Sequence, residues 1–154
     1  VAAAGYEFDA EHYIRWAYSQ GFQLLHLMRR DHAAAAMSWL MAWRTGHWIT
    51  KPYPETAFEV DLDVFRQHYR AVVGTSAKWG PLLADLGAEL FYYEDLCRHW
   101  EPELNRAFDT LGVRPAQVAQ PIPKQATKHY SLYATNWPDV EAVMQDEDHR
   151  LDPL

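Results

Sequence analysis

The stretch Phe22–Trp48, FQLLHLMRRDHAAAAMSWLMAWRTGHW, constrains the fold most: a short apolar run halts at two arginines and passes straight into an alanine-rich segment. The run Phe22–Met28 lies between Gly21 and Arg29, which suits a strand buried on both faces, the usual state of a parallel strand. From about His32 to Thr45 the pattern is helical, with Gly46 as its stop. Ala33, Ala34, Ala35 and Ala36 keep its first turn small enough to approach a sheet or a ligand. A strand that delivers Arg29 and Arg30 to a helix mouth joins fixed positive charge to unpaired amide donors, a setting that favours phosphate. With the helix starting near Asp31, Ser38 lies about two turns in, roughly 10 Å along the axis. Arg30 and Ser38 are therefore the candidate grip on one phosphate. Arg29 is read as an ion-pair partner or a solvated side chain.

The rest of the chain supplies a frame for that junction. Asp9 is positioned to cap a helix through about Ser19, with Tyr13, Trp16 and Ala17 on one face and Gly21 ending it. Residues 49–59, with Pro52 and Pro54, read as an irregular connection. Leu62, Phe65, Tyr69, Val72, Ser76, Trp79, Leu83 and Leu86 then follow steps of three and four, a core-facing helical stripe that Pro81 is expected to kink or divide near Gly80. Gly74 and Pro81 argue against a coiled coil. Ala88–Tyr93 reads as a second strand ending at Glu94 and Asp95. Glu101–Leu111 reads as a helix with Leu104, Ala107, Phe108 and Leu111 inward, and Gly112 closes it. Residues 117–136 look like an extended loop, before a final helix starting at Trp137 with Pro138 at a permitted early position. Helix, strand, helix, strand implies α/β layering. Two parallel strands alone make a poor sheet, so the fold is expected to be incomplete.

Composition narrows the function classes. A chain of 154 residues fits one domain able to bury about two-thirds of its unfolded surface. A net charge of -7 argues against general nucleic-acid binding, which rests on many Lys and Arg contacts to phosphates, so any phosphate site is expected to be local. Cys97 is the only cysteine, which excludes an internal disulfide and suits a reducing, cytoplasmic setting; an inert buried thiol is the reading for it. No apolar run approaches the roughly 20 residues of a membrane span. The eight histidines show no HxxxH or HExxH spacing, so no metal is expected, and no GxSxG elbow supports a serine hydrolase.

Three segments in fixed order, strand-RRDHAAAAMS-helix, strand-YYEDL-helix-LGV, and PKQATKHYSLYATNW before a terminal helix, together resemble the sulfotransferases that use 3′-phosphoadenosine 5′-phosphosulfate. The likeness is to the Stf0-like and the lipopolysaccharide or tyrosylprotein branches, and it spans about Phe22 to Met144. It implies a P-loop-NTPase-like α/β fold with few parallel strands and a helix-rich surround. It also implies that Arg30 and Ser38 bind the cofactor's 3′-phosphate and that Tyr93 contacts the adenine. The loop carrying Lys124 and Lys128 would close over the cofactor and supply phosphate contacts. The family's phosphosulfate loop has no counterpart before Phe22, so residues 1–154 are expected to be a single domain that forms the C-terminal portion of a larger sulfotransferase domain. The catalytic residues then lie outside it.

The expected function is transfer of a sulfuryl group from 3′-phosphoadenosine 5′-phosphosulfate to an acceptor hydroxyl on a carbohydrate, a lipid or a similar molecule. The alternatives are a noncatalytic module of the same kind that binds a nucleotide or a protein partner, and an unrelated α-rich domain that binds phosphoproteins. Partners are the nucleotide and the acceptor, without nucleic acid or a membrane span, and a homo-oligomer is compatible with all three readings. Trp43, Trp48 and Tyr53 either line an acceptor groove or pack; packing is the simpler reading.

Overall fold

In the computed structural model, residues 8–48, 51–54, 56–118, 126 and 128–151 are described. The chain is mixed α/β and mostly helical: α1 (Ala10–Ser19), β1 (Leu25–Met28), α2 (His32–Thr45), α3 (Leu62–Asp85), β2 (Glu89–Tyr92), α4 (Tyr93–Arg98), α5 (Trp100–Leu111), a 3₁₀ turn at Tyr130–Tyr133, and α6 (Trp137–Leu151). β1 and β2 pair in parallel with Leu25 opposite Glu89 and Met28 opposite Tyr92. Parallel strands need a long crossover, and α2 and α3 provide it.

Local chemistry sets the helix starts. The carboxylates of Asp9, Asp31 and Asp61 accept from the amides of His12, Ala34 and Val64, each capping donors that a helix leaves unpaired. Gly46 closes α2 with φ of 68°, a left-handed conformation that costs a glycine nothing.

The core lies among α2, α3 and α6 rather than around the sheet. Ala36, Met37 and Met41 of α2 meet Phe65 and Tyr69 of α3, Val140 and Val143 of α6, and Tyr53, Val60 and Tyr133 from the connections. Glu147, at 1% exposure, is the one buried charge among the described residues. It accepts from Arg70 at 2.5 and 2.8 Å, with Arg66 and Arg150 beside it, which ties α6 to α3. Tyr69 Oη donates to Asp148 at 2.7 Å on the same interface. Asn136 exchanges two hydrogen bonds with the backbone of Val60, and Phe58 bridges Ala134, so the last part of the tail is fastened against the segment ahead of α3.

Several expectations change. α3 runs unbroken through Pro81, held down by the buried Leu82 beyond the proline and by Phe65 and Tyr69 before it. β1 is four residues long and is not buried on both faces: Leu25 is 40% and Leu27 58% exposed, because two strands do not supply cover for two faces. Tyr93 starts α4, a helix absent from the sequence reading, instead of ending β2. α5 buries no residue fully; Leu104, Ala107 and Phe108 are half-buried and Leu111 is exposed. Within the expected tail loop, Tyr130–Tyr133 forms its 3₁₀ turn. No helix among the described residues is long and apolar enough to cross a membrane.

Candidate anion site

The carboxyl ends of β1 and β2 lie side by side, and the next residues of each strand, Arg29 with Arg30 and Tyr93 with Glu94, form the site. Ligands of open parallel sheets bind at such strand ends. The guanidinium of Arg29 sits 3.9 Å from the centroid of the Tyr93 ring, and that of Arg30 sits 3.7 Å from the centroid of the Tyr92 ring. Each arginine is thus stacked on an aromatic face of the neighbouring strand's end, a geometry that suits a planar cation.

The two arginines then diverge. Arg30 makes a bidentate pair with Asp95, at 2.8 and 2.7 Å. Hydrogen bonding to Arg30 holds the Asp95 carboxyl below its usual range and raises the Arg30 guanidinium. Two of the five guanidinium donors are occupied by this pair, which leaves three for another acceptor. Arg29 instead lines a cavity of about 290 Å³ together with Tyr93, Cys97, Arg98 and Tyr130.

Two carboxylates also line this cavity, and both are engaged by backbone. Asp31 caps α2 through Ala34 N at 2.7 Å. Glu94 accepts from the amides of Arg30 and Asp31 at 3.2 and 3.3 Å. Burial works to raise Glu94, but those amides and the charge of Arg29 outweigh it and the carboxyl lies below its usual range. Among the described residues neither Arg29 nor Arg98 has an ion-pair partner. The cavity therefore presents two cations without an ion-pair partner among the described residues, two carboxylates held by backbone amides, two tyrosines and the first turn of a 14-residue helix. Burial, with the Cys97 thiol next in effect, pushes the Tyr93 hydroxyl up to about 12, so it stays a protonated donor at neutral pH.

Of the residues singled out from sequence, Tyr93 lines the cavity and Arg30 stands beside it at the strand end. Ser38 faces Tyr53: Tyr53 Oη donates to the Ser38 carbonyl at 2.9 Å and lies 3.2 Å from Ser38 Oγ. Because Tyr53 has one hydroxyl proton, the Ser38 hydroxyl is the donor in the second bond. Arg30 and Ser38 thus each have a protein partner. Lys128 has its ammonium 4.7 Å from the centroid of the Tyr133 ring, and Lys124 lies outside the described residues. The sequence reading did not single out Arg98, Tyr130 or Cys97 for the site, and it gave Arg29 no ligand role. The adjacency of Arg29 to Arg30 was the one signal available; the others converge only through α4 and the 3₁₀ turn. Among the described residues no group of His, Cys, Asp or Glu could hold a metal ion.

Comparison of the chain with family models, curated proteins and solved structures gave no match to any of them. The functional reading rests on the residues themselves.

Proposed function

We propose that the chain is the nucleotide-binding portion of a sulfotransferase that uses 3′-phosphoadenosine 5′-phosphosulfate, with a P-loop-like α/β arrangement of which β1 and β2 are part. The observation that carries this reading is the delivery of two adjacent arginines from the end of β1 to the mouth of α2, opposite Tyr92, which ends β2, and Tyr93, which starts α4. An arginine fork, a helix N-terminus and a tyrosine face are the donors and the stacking surface that a phosphorylated nucleoside needs. Arg30 supplies its three remaining donors to the 3′-phosphate, tethered in orientation by Asp95, and Ser38 reaches it after exchanging its bond to Tyr53. Tyr93 packs on the adenine, and Lys124 and Lys128 close over the phosphates.

The chemistry is an in-line displacement at sulfur. The acceptor oxygen forms a bond to sulfur while the bond from sulfur to the phosphate oxygen breaks, and a base takes the acceptor proton. Residues of this chain hold the nucleotide; no catalytic base is assigned within it. A noncatalytic nucleotide- or partner-binding module is the second reading, favoured by the engagement of Arg30 with Asp95. Transfer of labelled sulfate to an acceptor hydroxyl excludes it.

Calorimetry with 3′-phosphoadenosine 5′-phosphate tests the binding. Arg30→Ala is expected to weaken affinity by about 1.5–3 kcal/mol, the scale of a charge-assisted hydrogen bond, which is roughly ten- to 150-fold. Unchanged affinity rejects the assignment.

A further inference from the structure

Tyr130 is the one buried residue lining the cavity at the strand ends, with 8% exposure. Among the described residues its hydroxyl makes no hydrogen bond. Hydroxyls of residues so deeply buried are ordinarily partnered. No described side-chain oxygen or nitrogen that is fully cut off from solvent lacks a partner, so the Tyr130 hydroxyl is still reached from outside. The cavity that it lines is where an acceptor for it would stand.

Two cations share that cavity in the same unpartnered state. The guanidinium of Arg29 rests by its face on the Tyr93 ring, 3.9 Å from the centroid. Stacking of this kind fixes a planar cation while leaving its edge N–H donors free for an acceptor in the plane. Among the described residues neither Arg29 nor Arg98 gives its guanidinium to an ion pair or a hydrogen bond. Arg29 follows β1, Arg98 ends α4 and Tyr130 opens the 3₁₀ turn, so three elements bring donors to one space of about 290 Å³.

Asp31 and Glu94 line the same cavity and already accept the amide hydrogens of Ala34, Arg30 and Asp31. An arginine carries five N–H donors and a carboxylate offers about four lone-pair sites. The two guanidiniums thus bring about ten donors against about five open sites on the carboxylates. The surplus is in donors, and an acceptor-rich anion is the guest that uses it. A carboxylate offers two oxygens in one plane, which a single arginine fork satisfies. A phosphate ester offers three terminal oxygens in different directions, enough for two guanidiniums from separate elements and a hydroxyl.

We infer that this cavity is a phosphate subsite separate from Arg30 and Ser38, in which Arg29, Arg98 and Tyr130 hold the phosphate of a small phosphomonoester while Asp31 and Glu94 accept hydroxyls of its organic part. Its volume stands at the lower end of the range of about 300–1,000 Å³ usual for ligand pockets, which suits a phosphorylated polyol of a few carbons. The subsite goes beyond the nucleotide reading: it needs no adenine and holds whether or not Arg30 takes a 3′-phosphate.

Calorimetric titration of the 154-residue chain at pH 7 and fixed ionic strength tests the inference, with inorganic phosphate, glycerol 3-phosphate, acetate and glycerol as probes. Saturable binding is expected for both phosphates, tighter for glycerol 3-phosphate, and for neither acetate nor glycerol. Arg98→Gln, at an exposed position, is expected to weaken glycerol 3-phosphate binding at least about tenfold, and Tyr130→Phe, which keeps the packed ring, about fivefold. Arg15→Gln removes the same charge from α1, where the guanidinium pairs with Glu11, and is expected to leave the affinity unchanged. Circular dichroism checks that each variant is folded. The proposal is overturned if neither phosphate binds saturably, if glycerol 3-phosphate binds no tighter than inorganic phosphate, or if acetate binds as tightly. Full affinity in folded Arg98→Gln or Tyr130→Phe overturns it too, as does a loss in Arg15→Gln equal to that in Arg98→Gln. A chain that binds glycerol 3-phosphate in this way but not 3′-phosphoadenosine 5′-phosphate keeps the subsite and loses the nucleotide reading alone.

Discussion

Arg29 and Arg30, the two residues that follow β1, are neighbours of the same chemistry that reach different partners. Arg29 stacks on Tyr93 and lines the cavity; Arg30 stacks on Tyr92 and pairs with Asp95. A second residue-scale case is Glu147. Hydrogen bonding to Arg70, with Arg150 and Arg66 nearby, holds its carboxyl below the usual range. A carboxyl with a lowered folded pKa contributes fully at neutral pH, and the contribution fades as pH falls through that folded value. Urea unfolding measured from pH 7 downward should accordingly lose stability on the acid side, and Glu147→Gln should flatten that loss while lowering stability at pH 7. A variant with the same acid slope as the parent would assign the loss elsewhere. The carboxylate and the arginines are visible in sequence, but their meeting is not: Arg70 and Glu147, 77 positions apart, are brought together by helix packing.

At the scale of elements, the termini of helices were legible because caps act locally. Asp9 and Asp31 each accept from an amide three residues on, and Gly46 and Gly112 stop the helices they follow, whereas Asp61, which caps α3 in the same way, was not read from the sequence. The apolar stripe of α3 was legible too, yet its continuity through Pro81 was not. A proline removes one hydrogen bond, whereas the packing of Phe65, Tyr69 and Leu82 acts along the whole helix. Phe65 is fully buried between α2 and α6 partners and stacks on Tyr69 with ring centroids 5.8 Å apart. Phe65→Ala is expected to cost about 3–5 kcal/mol, read from the shift of the urea midpoint. A cost below about 1 kcal/mol would mean that this packing does not hold the helices together. α4 was missed because its six residues carry no side-chain cap and follow a strand directly.

For the molecule as a whole, cohesion is uneven. α2, α3 and α6 enclose the core, whereas α1 buries no residue and presents Tyr13 and Trp16 to solvent. Local opening is cheapest where few apolar contacts must break. Under conditions where the chain is monomeric, the amides of α1 should exchange faster by orders of magnitude than those around Phe65 and Tyr69 in α3. Equal protection would mean that α1 belongs to the cooperative core. The sequence alone determined the two strands and most of the helices in their order, the capped starts of α1 and α2, the α/β character and the arginine pair at a helix mouth, because each depends on residues a few positions apart. Only tertiary structure decided that the core is helical, that Arg30 is committed to Asp95 and Ser38 to Tyr53, that Arg29 and Arg98 share a cavity, and that Leu25 and Leu27 of β1 are exposed. Those outcomes depend on which distant side chains and strand edges meet, a matter of packing that no local spacing encodes.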